Sequence, residues 1–265
     1  MHAFEYHRPS SSKDALGLAA KKTEGRYLAG GQSLVQAMKL RLSSPTDLID
    51  LGTIKDLTGI KVSGSAVEIG AMTRHAEVAG SAEVKKAIPA LAALAAMIGD
   101  RQVRNMGTIG GSLANNDPAA DYPAAALGLG ATITTNKRKI EADKFFTGLY
   151  ETALEPGELV TSVSFPAPKR AAYMKFKNPA SRFAIVGVFV ADFGGKVRVG
   201  VTGAGPSVFR QAEMEKALSA KFAPESVANI KVKADGLNND LHASPEYRAH
   251  LITVMAKRAV EAALK

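Results

Sequence analysis

Hydrophobic residues recur along this chain with two periods, near 3.6 and near 2, and the switches between them mark out its elements. Ser11 and Asp14 have the spacing of a capping box and predict a short helix over about Ser12–Lys21. Tyr27-Leu28-Ala29 predicts a strand ending at Gly30-Gly31. Leu34, Ala37 and Met38 then give helical spacing from Gln32 to Leu40. Leu48–Leu51 predicts a second short strand. Alternating segments near Gly59–Val62 and Val67–Ala71 flank Ser63-Gly64-Ser65 and predict a hairpin. Helices are expected over about Thr73–Lys86 and Pro89–Ile98.

The stretch from Gly99 to Pro123 has no clear period and is rich in glycine, asparagine and aspartate, which marks it as a functional loop. Ala131–Thr135 and Lys139–Ala142 predict a hairpin around Asn136-Lys137, and Leu159–Phe165 a strand. Pro166-Ala167-Pro168 reads as a linker. Beyond it, Ala171–Lys177, Phe183–Phe193 and Lys196–Thr202 read as strands, the last two joined through Gly194-Gly195. Ser244 as N-cap and Pro245 at the first helical position start a final helix, with Tyr247, Leu251, Val254, Met255 and Ala259 as its apolar face. The pattern predicts an α+β body to about residue 165, then a smaller domain of sheet and helix.

Composition narrows the chemistry. The 265 residues are 46% hydrophobic and 22% charged, ordinary values for a globular protein. No stretch reaches the roughly 18–20 apolar residues of a membrane span. The N-terminal residues lack an apolar signal core, so the expected location is the cytoplasm. Cysteine is absent, which excludes disulfides, thiolate catalysis and any iron–sulfur cluster held by this chain alone. The five histidines are scattered without metal-ligand spacing, so no metal site is expected. Redox chemistry would have to come from an organic cofactor or another subunit. The net charge of +9 is spread along the chain with no nucleic-acid motif, and fits an acidic partner subunit or an anionic cofactor better than nucleic acid.

Two glycine-rich segments carry the functional argument: Ala29-Gly30-Gly31-Gln32-Ser33-Leu34, and Thr108-Ile109-Gly110-Gly111-Ser112-Leu113-Ala114 with its polar tail to Asp121. Glycine lets a phosphate approach the main chain, successive N–H groups form an anion-binding concavity, and the hydroxyls of Ser33, Thr108 and Ser112 add directed hydrogen bonds. Either segment alone reads as a tight turn, and neither is a Rossmann fingerprint or a P-loop. Together they could grip one dinucleotide from two sides.

These segments resemble the two FAD loops of the flavin subunits of the xanthine dehydrogenase and carbon monoxide dehydrogenase family, the molybdenum hydroxylases. Met38-Lys39-Leu40-Arg41 extends the first match and Asn115–Asp121 the second. Ile69–Thr73, Gln102–Asn105, Tyr173-x-Lys175-Phe176-Lys177 and Asp240–Arg248 are also similar, in order, over nearly the whole chain. The resemblance implies a two-subdomain FAD-binding fold of the vanillyl-alcohol-oxidase (PCMH) type (1–56 and 57–168). A C-terminal α+β domain with a three-stranded sheet and helices (169–265) would follow.

By the same resemblance, Ala29, Gly30, Gly31, Gln32, Ser33 and Leu34, with Thr108, Gly110, Gly111 and Ser112, wrap the diphosphate and ribityl chain of FAD, and Ala114 joins the cofactor contacts. Asp121 is a candidate acceptor for a ribityl or ribose hydroxyl, or else a helix cap. Leu159 or Val160 would pack on the flavin ring. Lys177 would lie near its pyrimidine side, or else be a solvated strand residue. Phe183 would be an aromatic over the ring or a core residue. Arg101 and Arg104 read as salt-bridge or subunit contacts rather than diphosphate ligands. No residue is expected to be catalytic on the organic substrate.

In the family a large subunit carries the molybdenum cofactor and a small one carries two [2Fe-2S] clusters. The flavin passes electrons to NAD, a quinone or oxygen, and the assembly is a dimer of heterotrimers. Gln32 stands where carbon monoxide oxidisers typically have histidine, and Ser112 where some relatives have asparagine, so the resemblance does not extend to carbon monoxide as the substrate. The alternatives are a stand-alone FAD-dependent reductase of the same fold and a flavin-free scaffold subunit.

Overall fold

The computed structural model describes residues 1–22 and 24–265. Its first lobe is built on three short parallel strands, β1 (Glu5–His7), β2 (Arg26–Leu28) and β3 (Asp47–Asp50), in the order β1-β3-β2. Parallel neighbours need crossovers, which helices α1 (Ser12–Lys21) and α2 (Leu34–Lys39) supply. The Ser11 hydroxyl accepts from the Asp14 N–H at 3.1 Å and donates to the Asp14 carboxylate at 2.7 Å, so α1 starts where the capping pair predicts. Ala15, Ile49, Leu51, Ile54 and Leu57 form a small core that also takes in Met72 and Leu159 from the next lobe.

The second lobe begins with β4 (Ile60–Ser63) and β5 (Ala66–Gly70). Six helices follow: α3 (His75–Gly80), α4 (Ala82–Ala87), α5 (Pro89–Ala96), α6 (Arg101–Met106), α7 (Ile109–Asn115) and α8 (Tyr122–Leu129). Then come β6 (Thr132–Thr135), β7 (Lys139–Glu141), the single turn α9 (Ala142–Phe145), the small hairpin β8 (Phe146–Gly148) and β9 (Glu151–Thr152), and β10 (Val160–Pro166). The main sheet is antiparallel, in the order β4-β5-β10-β6-β7.

The helix expected over Thr73–Lys86 is broken at Ser81, which ends α3 and caps α4 through the Val84 N–H at 3.2 Å. The stretch expected to be an irregular loop holds two short helices, α6 and α7, and runs into the start of α8. The first of them buries no residue and so carries no apolar stripe.

The third lobe comprises β11 (Arg170–Lys177), β12 (Ala184–Asp192), β13 (Val197–Thr202), β14 (Phe209–Arg210), α10 (Ala212–Ala220), α11 (Glu225–Ala228) and α12 (Pro245–Ala263). The expected three strands are present, and the two-residue β14 adds a fourth at the β13 edge. All nine residues of β12 are buried because the sheet is covered on both faces. Phe189 and Ala191 point into the core of the second lobe with α5 and α8. Val186, Val188 and Val190 point the other way, against Leu251, Ile252, Met255 and Ala256 of α12.

Of the predicted face of the last helix, Leu251, Met255 and Ala259 are buried and Val254 packs on the same core, whereas Tyr247 stays 43% exposed. Gly200 permits the close packing of α8 on the sheet, since a Cβ there would lie 2.3 Å from the Ala124 carbonyl oxygen. The expected linker is pinned at both ends. The Ala167 N–H donates to the Ser65 carbonyl at 2.7 Å and the Lys169 N–H to the Asp192 carbonyl at 2.8 Å. Among the described residues no helix is long and apolar enough to cross a membrane, and no cluster of potential ligands could hold a metal ion.

Candidate functional site

The fold brings the two glycine segments into contact. A Cβ on Gly30 would lie 2.1 Å from the Met106 carbonyl oxygen and 2.7 Å from the Gly107 Cα. One on Gly111 would lie 3.3 Å from the Ala29 Cβ. Only glycine allows the backbones to approach so closely. Segments far apart in sequence therefore form one wall.

In the second segment four successive N–H groups are held by the protein. The N–H groups of Ile109 and Gly110 donate to the carbonyls of Thr73 (3.1 Å) and Ala71 (2.8 Å). The Gly111 N–H donates to the Thr108 hydroxyl (3.2 Å) and the Ser112 N–H to the Thr108 carbonyl (3.0 Å), which makes Thr108 the N-cap of α7. Gly110 is pressed onto Ala71, whose Cβ would be 2.5 Å from an added methyl. Beneath the loop, the His75 ring packs tilted against Tyr122 with centroids 5.3 Å apart, its backbone N–H donates to the Gly107 carbonyl, and its Nε2 would lie 2.5 Å from a Cβ on Gly107. Burial, with the Arg104 charge adding, pushes this imidazole down to about 4.

The first segment is the opposite. Among the described residues the N–H groups of Gly30, Gly31, Gln32, Ser33 and Leu34 donate to no acceptor of the chain, although the Gly31 and Ser33 carbonyls accept from Val35 and Ala37. Gly31 has φ +70°, which turns the chain so that successive N–H groups can converge. The Ser33 side chain is exposed and makes no cap, and the half-buried Ser112 hydroxyl likewise has no partner in the chain. Free N–H groups and hydroxyls on a wall of glycine suit an anionic ligand rich in oxygen, such as a diphosphate.

The other expected residues are distributed around this wall. Ala114, on α7, is exposed. Leu159 lies in the small core of the first lobe and Val160 in the large core of the second, so the segment that carries them straddles the junction of the lobes. It is fixed by Asn136, which exchanges hydrogen bonds of 2.8 and 3.0 Å with Leu159, and by the neighbouring Glu158. Burial works against the Glu158 charge, but hydrogen bonds from Arg138, the Glu155 N–H and Thr135 pull its carboxyl down to about 2. Lys177 is exposed at the end of β11, and Phe183 is 48% exposed just before β12 rather than in the core.

Asp121 has partners that the sequence did not suggest. It is 5% exposed and makes no side-chain cap to α8. It accepts from the Tyr173 hydroxyl and, at 2.9 Å, from Lys175 Nζ. Burial pushes its carboxyl up, and Lys175 and Tyr173 pull it back. Each of its two oxygens thus accepts one hydrogen bond from β11. Tyr173 and Lys175 lie two apart on one face of β11, a spacing visible in the sequence, but nothing local ties that face to Asp121. Arg104 donates to the Ile98 carbonyl at 3.0 Å and the Gly99 carbonyl at 3.3 Å, and has no carboxylate partner among the described residues. The salt bridge expected for it is therefore replaced by hydrogen bonds to backbone carbonyls.

Residues 2–168 match the family described as the FAD binding domain in molybdopterin dehydrogenase. The chain belongs to that family. Among its relatives is the carbon monoxide dehydrogenase medium chain of Afipia carboxidovorans, 37% identical over 278 residues that span 98% of this chain and 96% of the relative. The nicotine 6-hydroxylase medium subunit of Paenarthrobacter nicotinovorans is 34% identical and covers 97% of this chain and 96% of its own. A solved carbon monoxide dehydrogenase from Hydrogenophaga pseudoflava superposes with a TM-score of 0.91 at 36% identity over 99% of this chain and 98% of that one. The fold is therefore the α+β flavin-subunit fold of the molybdopterin dehydrogenases. The cofactor of this chain is FAD, and the chain is an oxidoreductase component. The glycine wall fits that cofactor by its unclaimed donors.

Proposed function

We propose that this chain is the FAD-carrying electron-transfer subunit of a molybdenum hydroxylase complex. It would stand between the [2Fe-2S] clusters of a small partner subunit and an external electron acceptor. A large partner subunit would hold the molybdenum cofactor and choose the organic substrate. The observation that carries the reading is the row of five backbone N–H groups at Gly30–Leu34, free of protein partners and pressed by glycine contacts against the second loop. A subunit of this kind needs no catalytic acid, base or metal ligand of its own. The relatives named above act, by their names, on chemically unrelated substrates, and this too suits a chain that handles electrons only.

When bound, FAD supplies one- and two-electron redox chemistry. The residues have separate tasks around it. The N–H groups of Gly30 to Leu34 and the Ser33 hydroxyl bind the diphosphate, with Ala29 and Gln32 lining the loop. Thr108, Gly110 and Gly111 shape the facing wall, which Ser112 and Ala114 complete on the cofactor side. The Leu159–Val160 segment closes the apolar end and excludes water. Lys177 brings positive charge to the mouth of the cleft, where a cation stabilises a reduced, anionic ring.

The test is the visible absorption of the protein after incubation with FAD and desalting, first alone and then in the assembled complex. Retained flavin bands are expected, and they should be lost in Gly31→Asp, whose carboxylate would repel a diphosphate. An assembled wild-type complex without flavin would overturn the reading.

A further inference from the structure

The segment that follows the second glycine loop is gripped, residue after residue, by the third lobe. The Thr202 hydroxyl donates to the carbonyls of Pro118 at 3.0 Å and Ala120 at 2.6 Å, and the Gly203 N–H also donates to Pro118 at 2.7 Å. The grip ends at Asp121, taken by Tyr173 and Lys175 of β11. Lys175 has a second acceptor, the Met97 carbonyl at 3.1 Å, in the turn after α5, and its side chain is 2% exposed. The next two carbonyls of that turn are also held by cations. Ile98 takes Arg104, and Gly99 takes both Arg104 and, at 3.5 Å, Arg182 from the turn between β11 and β12. Arg104 lies on α6, which runs directly into the second loop.

We propose that Lys175 is a positioning residue of the flavin site: held between the Asp121 carboxylate and the Met97 carbonyl, it locks the tail of the second glycine loop to the third lobe and so sets the seating of the cofactor. The assignment rests on the function proposed above and adds to it.

A buried ammonium is costly unless its partners are fixed, and a buried ion pair adds little net stability over an apolar pair of the same shape. What the pair adds is direction. Nζ can sit only where both acceptors are within reach, so the start of α8, the turn after α5 and β11 must hold one mutual position. Two residues further along β11, beyond a register shift at Phe176/Lys177, Lys177 is exposed.

The test compares Lys175→Met with Val188→Ala, a core variant on the far face of the same sheet, matched for loss of thermal stability. On the full chain, in its assembled complex if retention requires it, FAD affinity and the visible circular dichroism of the bound flavin are measured. Lys175→Met is expected to weaken FAD at least tenfold and change the dichroism of the flavin that remains, while Val188→Ala changes neither. If both variants lose stability alone and bind FAD as the wild type does, the role is only structural and the proposal is overturned. Should Lys175→Met not fold, Tyr173→Phe removes a single hydroxyl from Asp121 and is expected to weaken FAD severalfold; unchanged affinity and dichroism there would overturn it equally. Failure of the wild type itself to bind FAD would instead refute the function proposed above.

Discussion

In the first glycine loop five successive backbone N–H groups are left without protein partners, whereas in the second Ile109, Gly110, Gly111 and Ser112 all donate to neighbouring carbonyls or to a cap. The two loops read alike in sequence, and both were expected to bind through their main chain. The structure separates them. Gly30 of the first loop and Gly110 and Gly111 of the second serve close packing, against Met106, Ala71 and Ala29, while Gly31 with its positive φ turns a run of N–H groups away from the chain's own acceptors.

Substitutions can break this comparison, beginning where the loops touch. Gly30→Ala would put a methyl 2.1 Å from the Met106 carbonyl oxygen, a clash between backbone and side chain that no rotamer relieves. The loops must part, and FAD retention after desalting is expected to disappear. A variant that stays yellow would show that the contact is dispensable.

Acid should act on the second loop before the first. The His75 imidazole titrates near 4 in the fold against 6.5 when free, so the folded state resists its protonation. The stability it supports is complete above about pH 6.5 and is lost as pH falls toward 4, on the order of 3 kcal/mol in all. Denaturant unfolding at several pH values, in wild type and His75→Phe, should show a flatter profile in the variant across that window.

The smallest effects sharpen the contrast most. Thr108→Val removes the cap of α7 and is expected to cost about 1 kcal/mol of unfolding free energy. Ser33→Ala removes a hydroxyl that no protein group uses. It should leave stability within about 0.5 kcal/mol yet weaken FAD by roughly 3–10-fold. Equal effects of the two variants on both measurements would erase the distinction between the loops.

Periodicity made most strands legible, and Ser11, Ser244 and Pro245 placed the first and last long helices correctly. It failed between Gly99 and Pro123, where α6 buries no residue and carries no stripe to read, and α7 is only seven residues long. β1 was missed since Glu5, Tyr6 and His7 are largely exposed edge residues. The glycine segments were legible as a pair, but the destination of each N–H depends on Ala71 and Thr73, more than 30 positions before Gly110, and no local pattern encodes it. Asp121 was singled out by its place after the loop. Its partners on β11 could not be, because they are 52 and 54 residues away.

The grip of Thr202 on Pro118 and Ala120 joins positions 84 and 82 residues apart. A ribosome finishes the second loop long before it makes the strand that fixes the tail of that loop. Until β13 has emerged and paired with β12, the peptide groups after Asn116 lack the acceptors and donors that define their path, and α8 lacks the sheet that covers it. The path of the loop's tail is therefore completed only by the finished third lobe.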